Sequence, residues 1–316
     1  MKSPSTVVIA LGGNAILQSA QKGTYAEQLG NISAACAAIV EIVKAGHKVV
    51  LTHGNGPQVG AVLIQNEEAA TKVPAMPLDA CGAETQGMLG YMFQQELGNA
   101  LRAAGLNRQV VSIVTQTEVS AYDLAFKNPT KPVGPYYPTE EAQLLMAEKG
   151  WQMKEDKARG GWRRLVPSPS PIAIVEKEII KNLLAIDAIV IAAGGGGAPV
   201  VQERGQYHGV EAVVDKDLSG FRMAADIGAD AFMILTDVER VAINWGKPDQ
   251  VNLSEVSYTE MRALQTEGHF ADGSMGPKVE ACLRFAQTGK GRAIIAAHVK
   301  AVEALAGTSG TQILPL

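Results

Sequence analysis

Short apolar runs alternate with amphipathic segments along most of this 316-residue chain. The first run, residues 7–11, has the uninterrupted apolar character of a strand buried on both faces, and a Gly-Gly-Asn turn follows it. Thr24 and Glu27 then form a capping box that opens a helix with apolar residues at helical spacing, and Gly46 ends that helix. The same order of strand, glycine turn and helix repeats further along.

The later segments extend this alternation. Strands are predicted at residues 49–52, 109–114, 188–193, 231–236, 292–296 and 311–314, and helices from Pro57 and over 84–104. Alternating strands and helices favour an α/β fold with a mainly parallel sheet covered on both faces. Because crossovers are short and right-handed, we expect the glycine turns to meet at the carboxyl ends of the strands.

Residues 117–171 interrupt the alternation. The stretch contains seven prolines and a run of basic residues, Lys154, Lys157, Arg159, Arg163 and Arg164. We interpret it as a lid subdomain inserted into a single domain that spans residues 1–316. The basic run is typical of a solvated hairpin face, and the tryptophans are expected to pack locally (Trp151, Trp162 and Trp245).

Composition narrows the class of protein. The hydrophobic fraction of 47% suffices for a large core, and a net charge of −4 gives no basic footprint for nucleic acid. No stretch is expected to be long enough to span a membrane, and the N-terminus does not have the pattern of a signal peptide. Three widely spaced cysteines indicate buried reduced thiols, with neither disulfides nor a metal site. We therefore expect a cytoplasmic protein without a membrane or nucleic-acid partner.

Three glycine turns directly follow predicted strands: Gly12-Gly13-Asn14, Gly54-Asn55-Gly56 and the four glycines at 194–197. Each turn places backbone N–H groups near a helix start, where anions bind. One such turn is also explained by steric demands alone, but three at one sheet edge favour a phosphate site. The sequence contains neither the P-loop pattern nor the dinucleotide fingerprint, so any phosphoryl chemistry uses a different cradle.

The charged candidates for that chemistry are Lys131, the adjacent pair Lys216-Asp217, and Lys278. Phosphoryl transfer needs positioning and charge neutralisation, which lysines from separate segments can supply. On spacing alone, a solvated side chain is the better explanation for each lysine. Asp237, which ends the predicted strand 231–236, is either a nucleotide or metal contact or a cap for the next turn.

Taken together, seven motifs resemble those of carbamate kinases, which belong to the amino-acid kinase superfamily. In chain order they are IALGGNA (9–15), HGNGPQVG (53–60), DACGA (79–83), NPTKP (128–132), AGGGG (193–197), VDKD (214–217) and GSMGPK (273–278). The resemblance implies a three-layer α/β/α sandwich with a mostly parallel sheet of about eight strands, and a homodimer. It also implies reversible phosphoryl transfer between ATP and carbamate with Mg²⁺, and a place in arginine metabolism.

The resemblance also assigns roles to residues. Substrate binding falls to Gly12, Gly13, Asn14, Gly54, Asn55 and Gly56. Lys131 on the lid reaches carbamoyl phosphate, Lys216 and Lys278 neutralise the phosphoryl group in transit, and Asp217 organises these lysines. The nucleotide contacts are Asp237, Ala242, Met275, Gly276 and Pro277, and no residue is assigned as a metal ligand.

The segment after Asp237 departs from the family pattern, because Glu239, Arg240 and Ala242 stand where an acidic residue and a tyrosine are usual. Two alternatives therefore stay open beside a carbamate kinase. One is a phosphotransferase for another small carboxylate, and the other is a sensor that binds carbamoyl phosphate or nucleotide without turnover. The retained lysines argue against a sensor, since they act on a transition state that a sensor does not stabilise.

Overall fold

The computed structural model describes residues 5–18, 20–157, 160–271 and 274–316. Their strands are β1 (Thr6–Leu11), β2 (Lys48–His53), β3 (Val110–Ser112), β4 (Gln116–Val119), β5 (Lys131–Tyr137), β6 (Gln152–Asp156), β7 (Gly161–Val166), β8 (Pro171–Ile174), β9 (Ile189–Ile191), β10 (Ala198–Glu203), β11 (Gln206–Gly209), β12 (Ala231–Thr236), β13 (Ala242–Ile243), β14 (Val251–Asn252), β15 (Glu255–Val256), β16 (Arg292–Ala297) and β17 (Thr311–Ile313). Their α-helices are α1 (Tyr25–Lys44), α2 (Gly56–Ala69), α3 (Leu78–Ala103), α4 (Thr139–Lys149), α5 (Lys177–Ala185), α6 (Lys216–Ile227), α7 (Tyr258–Thr266), α8 (Met275–Ala286) and α9 (Ala301–Ala306).

The central sheet has eight strands in the order β15-β17-β16-β12-β1-β2-β9-β3. Every neighbouring pair is parallel except β16 and β17, which run antiparallel. This arrangement confirms the predicted α/β class with a mostly parallel sheet. It also aligns the ends of β1, β2, β9 and β12, so that the loops after these strands lie along one edge.

Both faces of the sheet are buried, which explains the uninterrupted apolar runs. In β1, Val8 and Ala10 pack into a core shared with α5, α6 and α8, whereas Val7, Ile9 and Leu11 pack into a core shared with α1, α3 and α9. Burial of one such aliphatic side chain contributes roughly 1.5–3 kcal/mol. The two cores thus fix three layers and hold the sheet between them.

Two predicted boundaries differ from the structure. The long helix α3 begins at Leu78, six residues before the predicted start, because Leu78, Cys81 and Thr85 already lie on its buried face. The predicted strand 109–114 is shorter in the sheet, where β3 ends at Ser112. The chain then turns at Thr115 and enters β4, which belongs to a different sheet.

Two smaller sheets lie beyond the central one. β4 and β8 join β10 and β11 in a four-stranded sheet, and β5, β7 and β6 form a three-stranded antiparallel sheet. Helix α4 packs on β6 and β7. Residues 117–171 thus leave and re-enter through the four-stranded sheet, with the three-stranded sheet between.

Helix α1 corrects one expectation. By length and composition alone it could cross a membrane, so the expectation that no stretch reaches that length is wrong. In the structure α1 is a core helix: its residues Ile32, Cys36, Ile39 and Val43 are buried against the sheet and α3. The capping box of Thr24 and Glu27 opens it as predicted. Cys36, Cys81 and Cys282 are buried and free.

Candidate active site

The three glycine turns lock together at the carboxyl ends of β1, β2 and β9. A Cβ atom on Gly54 would lie 3.3 Å from Gly13 N, and one on Gly194 would lie 2.5 Å from His53 Nε2. Gly195 has a left-handed φ of +65°, and a Cβ atom there would lie 2.1 Å from Asn55 Nδ2. These turns therefore need glycine both for backbone conformation and for close approach.

Asp217 joins the two lysines predicted to neutralise phosphate. Its Oδ1 is paired with Lys216 Nζ, and its Oδ2 accepts a hydrogen bond from Lys278 Nζ at 3.2 Å. The Asp217 side chain is 3% exposed, and the lysine side chains are 15% and 17% exposed. A buried carboxylate is stable here because each oxygen has a cationic partner. Asp217 therefore holds both ammonium groups close to one another.

Lys131, on β5, reaches the start of the same helix. Its Nζ lies 2.8 Å from Asp215 Oδ2, and Asp215 Oδ1 caps α6 by accepting from the backbone N–H of Asp217 at 2.9 Å. Burial on its own raises the pKa of Asp215, but Lys131 and Lys216 outweigh it and hold that pKa below its ordinary value. Asp215 is therefore ionised and connects the three-stranded sheet to α6.

These groups face one cleft of roughly 300 Å³. Of the residues predicted from sequence, the structure places in its lining Gly13, Gly54, Asn55, Gly56, Lys131, Lys216, Asp217, Pro277 and Lys278. The lining also contains residues that the sequence analysis did not assign: Arg163, Gly195, Asp215 and Ser274. Asp215 lies in the VDKD motif directly before the Lys216-Asp217 pair, and aspartate is a common helix N-cap, which is the signal that could have found it.

Three predicted site residues lie elsewhere. Asn14 donates to Asp237 Oδ2 at 2.5 Å, and the pair lines a separate groove between α1 and the segment after β16. Gly12 N donates to Leu235 O at 3.1 Å, which ties the first glycine turn to β12. In the structure these residues therefore connect the end of β1 to the end of β12.

A second pocket of roughly 470 Å³ adjoins the cleft, and Ser274 lines both. Ala242 and Met275, two predicted nucleotide contacts, line it together with Trp245. Trp245 is 63% exposed, so the interpretation that it packs locally is wrong. Gly276 does not line this pocket, and its backbone N–H donates to Ala271 O at 2.9 Å. Gly273, in the GSMGPK motif, and Arg159, in the basic run, lie outside the described residues.

His53 supports the second and third glycine turns. Its Nδ1 donates to Gly54 O at 2.9 Å, and its ring stacks on Phe93 with 5.3 Å between the ring centres. Burial lowers the pKa of His53 to about 4, and the nearby Lys216 adds to this effect. His53 is therefore neutral near pH 7 and acts as a packed support.

The carboxylates that face the cleft are already paired with lysines. Across the described residues there is no group of three or more His, Cys, Asp or Glu side chains that could hold a metal ion. This donor set fits Mg²⁺ carried on nucleotide phosphates, because Mg²⁺ keeps most of its waters and takes few protein ligands.

Comparison with known proteins agrees with this geometry. The sequence model of the amino acid kinase family matches residues 5–297. This chain belongs to the amino acid kinase family. Within the family it is similar to carbamate kinases over its whole length: the Pyrococcus furiosus enzyme is 54% identical over 311 residues, which cover 98% of this chain and 99% of that one. The carbamate kinase of Trichomonas vaginalis is 51% identical over 98% of this chain and 99% of its own length.

Solved structures of this family agree. The carbamate kinase from Giardia lamblia bound to AMP-PNP superposes with a TM-score of 0.95 at 48% identity, and the match covers all of both chains. These findings confirm the family that the seven motifs indicate and the three-layer fold expected from it.

Proposed function

We propose that this protein is a carbamate kinase that transfers a phosphoryl group reversibly between ATP and carbamate. The observation that carries the proposal is the Asp217 carboxylate, which holds Lys216 and Lys278 against a cleft bounded by three glycine turns. The names of full-length relatives at about 50% identity support the same activity.

The reaction requires stabilisation of charge more than covalent chemistry by the protein. Lys216 and Lys278 neutralise the oxygens of the phosphoryl group while it passes in line between the nucleotide and the acid. Asp217 keeps both ammonium groups in place, so little reorganisation accompanies transfer. The oxygen of carbamate is itself the nucleophile, and no enzyme nucleophile is needed.

The acid end of the substrate lies against the glycine turns. The backbone N–H groups of Gly13 and Asn55 are donors suited to an anion, whereas the N–H group of Gly54 donates to Leu11 O at 3.2 Å. Lys131 approaches from the opposite wall. We infer that residues 117–171 act as a lid, which is supported by the Lys131–Asp215 ion pair and by a 2.8 Å hydrogen bond from Tyr137 to Glu67 on α2. Such a lid excludes water from the reacting group.

The nucleotide binds in the adjoining pocket, with its base near Ala242, Trp245 and Met275. The relative from Giardia lamblia binds AMP-PNP, which supports ATP and ADP as substrates here. Mg²⁺ on the nucleotide phosphates supplies further neutralisation of charge when bound. We infer that the first turn of α8, with Pro277 and Lys278, directs the terminal phosphate toward the cleft.

We further infer a homodimer in the cytoplasm. Met88 and Tyr91, one turn apart on α3, are 40% and 56% exposed, and Tyr25 lies beside Tyr91. An apolar face of this kind is typical of an interface. Sedimentation of Tyr91→Glu, compared with wild type, tests the dimer.

Three free cysteines suit a reducing compartment such as the cytoplasm. A role in arginine metabolism rests on the family resemblance.

The direct test is ATP formation from ADP, Mg²⁺ and carbamoyl phosphate by the purified protein. Lys216→Ala is assayed in parallel, with Lys44→Ala as the matched control, because Lys44 pairs with Glu41 on an exposed face of α1. We expect turnover by the wild type and the control, and a loss of roughly 10²-fold or more in Lys216→Ala.

Absence of turnover in the wild type would contradict the proposal. If carbamoyl phosphate still binds in calorimetry, the chain is a sensor. If acetyl phosphate replaces carbamoyl phosphate as the donor, the chain is a kinase for another small carboxylate.

A further inference from the structure

Arg163 lies on β7 and lines the same cleft as Lys131, Lys216 and Lys278. Its position differs from the solvated hairpin face predicted for the basic run, whereas Lys154 and Lys157 of the same run are exposed as predicted. Successive residues of a strand leave it on opposite faces. Arg164 accordingly points away, pairs with Glu211, and lies over Trp151 with 4.4 Å between its guanidinium carbon and the ring centre.

The guanidinium of Arg163 is held in place without being neutralised. Its Nε donates to Gly134 O at 3.2 Å, and its central carbon lies 5.2 Å from the centre of the Tyr136 ring. Within the described ranges, Arg163 has no carboxylate partner and its two terminal nitrogens have no hydrogen-bond partner. The contacts therefore orient the side chain and leave its fork available.

The charges that line the cleft do not balance. Lys216 and Lys278 share Asp217, and Lys131 pairs with Asp215, so Arg163 is the cation of this set that lacks a carboxylate. Four cations face two carboxylates, which leaves an excess of two positive charges. Carbamoyl phosphate carries two negative charges, both on its phosphoryl group, and balances that excess. Without Arg163 the excess falls to one positive charge, and the same dianion leaves one negative charge unbalanced.

The chemistry of arginine selects which end of the substrate it binds. A guanidinium is a rigid planar fork that matches a planar carboxyl group with two parallel hydrogen bonds, whereas an ammonium group is a point charge suited to a phosphoryl oxygen. Lys216 and Lys278 already serve the phosphoryl group. The planar end of the substrate still needs such a partner, because carbamate offers a charged carboxylate there and carbamoyl phosphate offers an uncharged carbonyl oxygen.

We propose that Arg163 is a substrate-binding residue whose terminal nitrogens donate to the planar carbamate or carbamoyl group. The inference rests on the proposed function and adds its acid-binding residue. Arg163 thereby selects acids with a compact, planar, charged head and holds that head against the glycine turns. Arg163 does not line the proposed nucleotide pocket, so ADP binding is expected to be independent of it.

The test compares Arg163→Lys and Arg163→Met with the wild type in ATP formation. We expect the KM for carbamoyl phosphate to rise roughly tenfold or more in Arg163→Met, with the KM for ADP within about twofold of wild type. Arg163→Lys keeps the charge but loses the planar fork. The KM for carbamoyl phosphate in this variant is expected to lie closer to that of Arg163→Met than to that of the wild type on a logarithmic scale. Added guanidinium ion should partly rescue Arg163→Ala.

Arg164→Met is the matched control, because it removes a neighbouring guanidinium that faces away from the cleft. A KM for carbamoyl phosphate in Arg163→Met within about twofold of wild type overturns the proposal, and so does an equal rise in the KM for ADP. If the wild type forms no ATP, the proposed function fails, and calorimetry with carbamoyl phosphate tests Arg163 alone. Weaker binding by Arg163→Met then supports its role, and equal binding or none by either protein overturns it.

Discussion

The ammonium group of Lys278 lies 3.2 Å from Asp217 Oδ2, across 61 residues of chain. The opposite oxygen of the same carboxylate holds Lys216. One buried acid thus sets the position of two cations that arise from different helices, α6 and α8. We infer that Asp217 fixes the distance between the two ammonium groups.

Lys278 is expected to act mainly in the transition state. Lys278→Ala should lower kcat by roughly 10²-fold or more and change KM much less, because the neutralised charge develops during transfer. Steady-state kinetics in both substrates measure this. Lys290→Ala, which removes an exposed lysine, is the control. Near-normal kcat in Lys278→Ala would remove this residue from the reaction.

Asp217 is expected to act through the two lysines. Asp217→Asn should lower kcat by roughly 10-fold to 10²-fold, because the amide cannot bind two ammonium groups as a carboxylate does. Adding Lys278→Ala to Asp217→Asn should then cost less than it does in the wild type. A double-mutant cycle measures this coupling. Strictly additive losses would show that the acid and the lysine work independently.

Replacing Lys131 and replacing Asp215 should change the KM for carbamoyl phosphate in opposite directions. Lys131→Met is expected to raise the KM for carbamoyl phosphate more than that for ADP. Asp215→Asn keeps a good helix cap but releases Lys131, so it should lower the KM for carbamoyl phosphate. Calorimetric titration with each ligand checks both variants. A shift in the same direction for both would contradict a competition for Lys131.

Replacing Gly195 and Gly205 in turn separates the effect of left-handed backbone strain from the effect of close contact. Gly195→Ala should lower both stability and activity, because its Cβ would displace the Asn55 side chain at the cleft. Gly205→Ala is the matched control: its φ is +79° but no atom lies within 4 Å of the added Cβ. Both should lose about 1 kcal/mol of unfolding free energy from left-handed backbone. Thermal unfolding measures the loss of stability in both variants, and turnover measures the loss of activity. An equal loss of activity in Gly195→Ala and Gly205→Ala would contradict the expected effect on Asn55.

His53 should make the fold sensitive to acid. Its folded pKa of about 4 lies below its ordinary value of 6.5, so the unfolded chain binds a proton first as pH falls. Its contribution is fully present above pH 6.5 and is lost as pH falls toward 4. His53→Gln should flatten the pH dependence of the unfolding free energy over that window. His208→Gln, which replaces an exposed histidine, is measured in parallel as the control.

Much of the fold follows from local sequence, and much of the site does not. The run at residues 7–11 and the box of Thr24 and Glu27 specify their elements by composition and spacing. By contrast, nothing local places Lys278 beside Asp217, since only the packing of α6 on α8 does so. The sequence predicted a solvated Arg163 and a locally packed Trp245, and the structure differs at both positions. Tertiary contacts decide whether such a side chain faces a pocket, and local sequence does not encode them.

The Lys131–Asp215 ion pair has a consequence for the catalytic cycle. Asp215, the cap of α6, pairs with the lysine that we propose binds carbamoyl phosphate, so we infer that Asp215 competes with this ligand for Lys131. This competition is expected to weaken binding of the incoming anion and to favour release of the product. An enzyme that runs in either direction gains from this, because neither ligand becomes trapped beneath the three-stranded sheet.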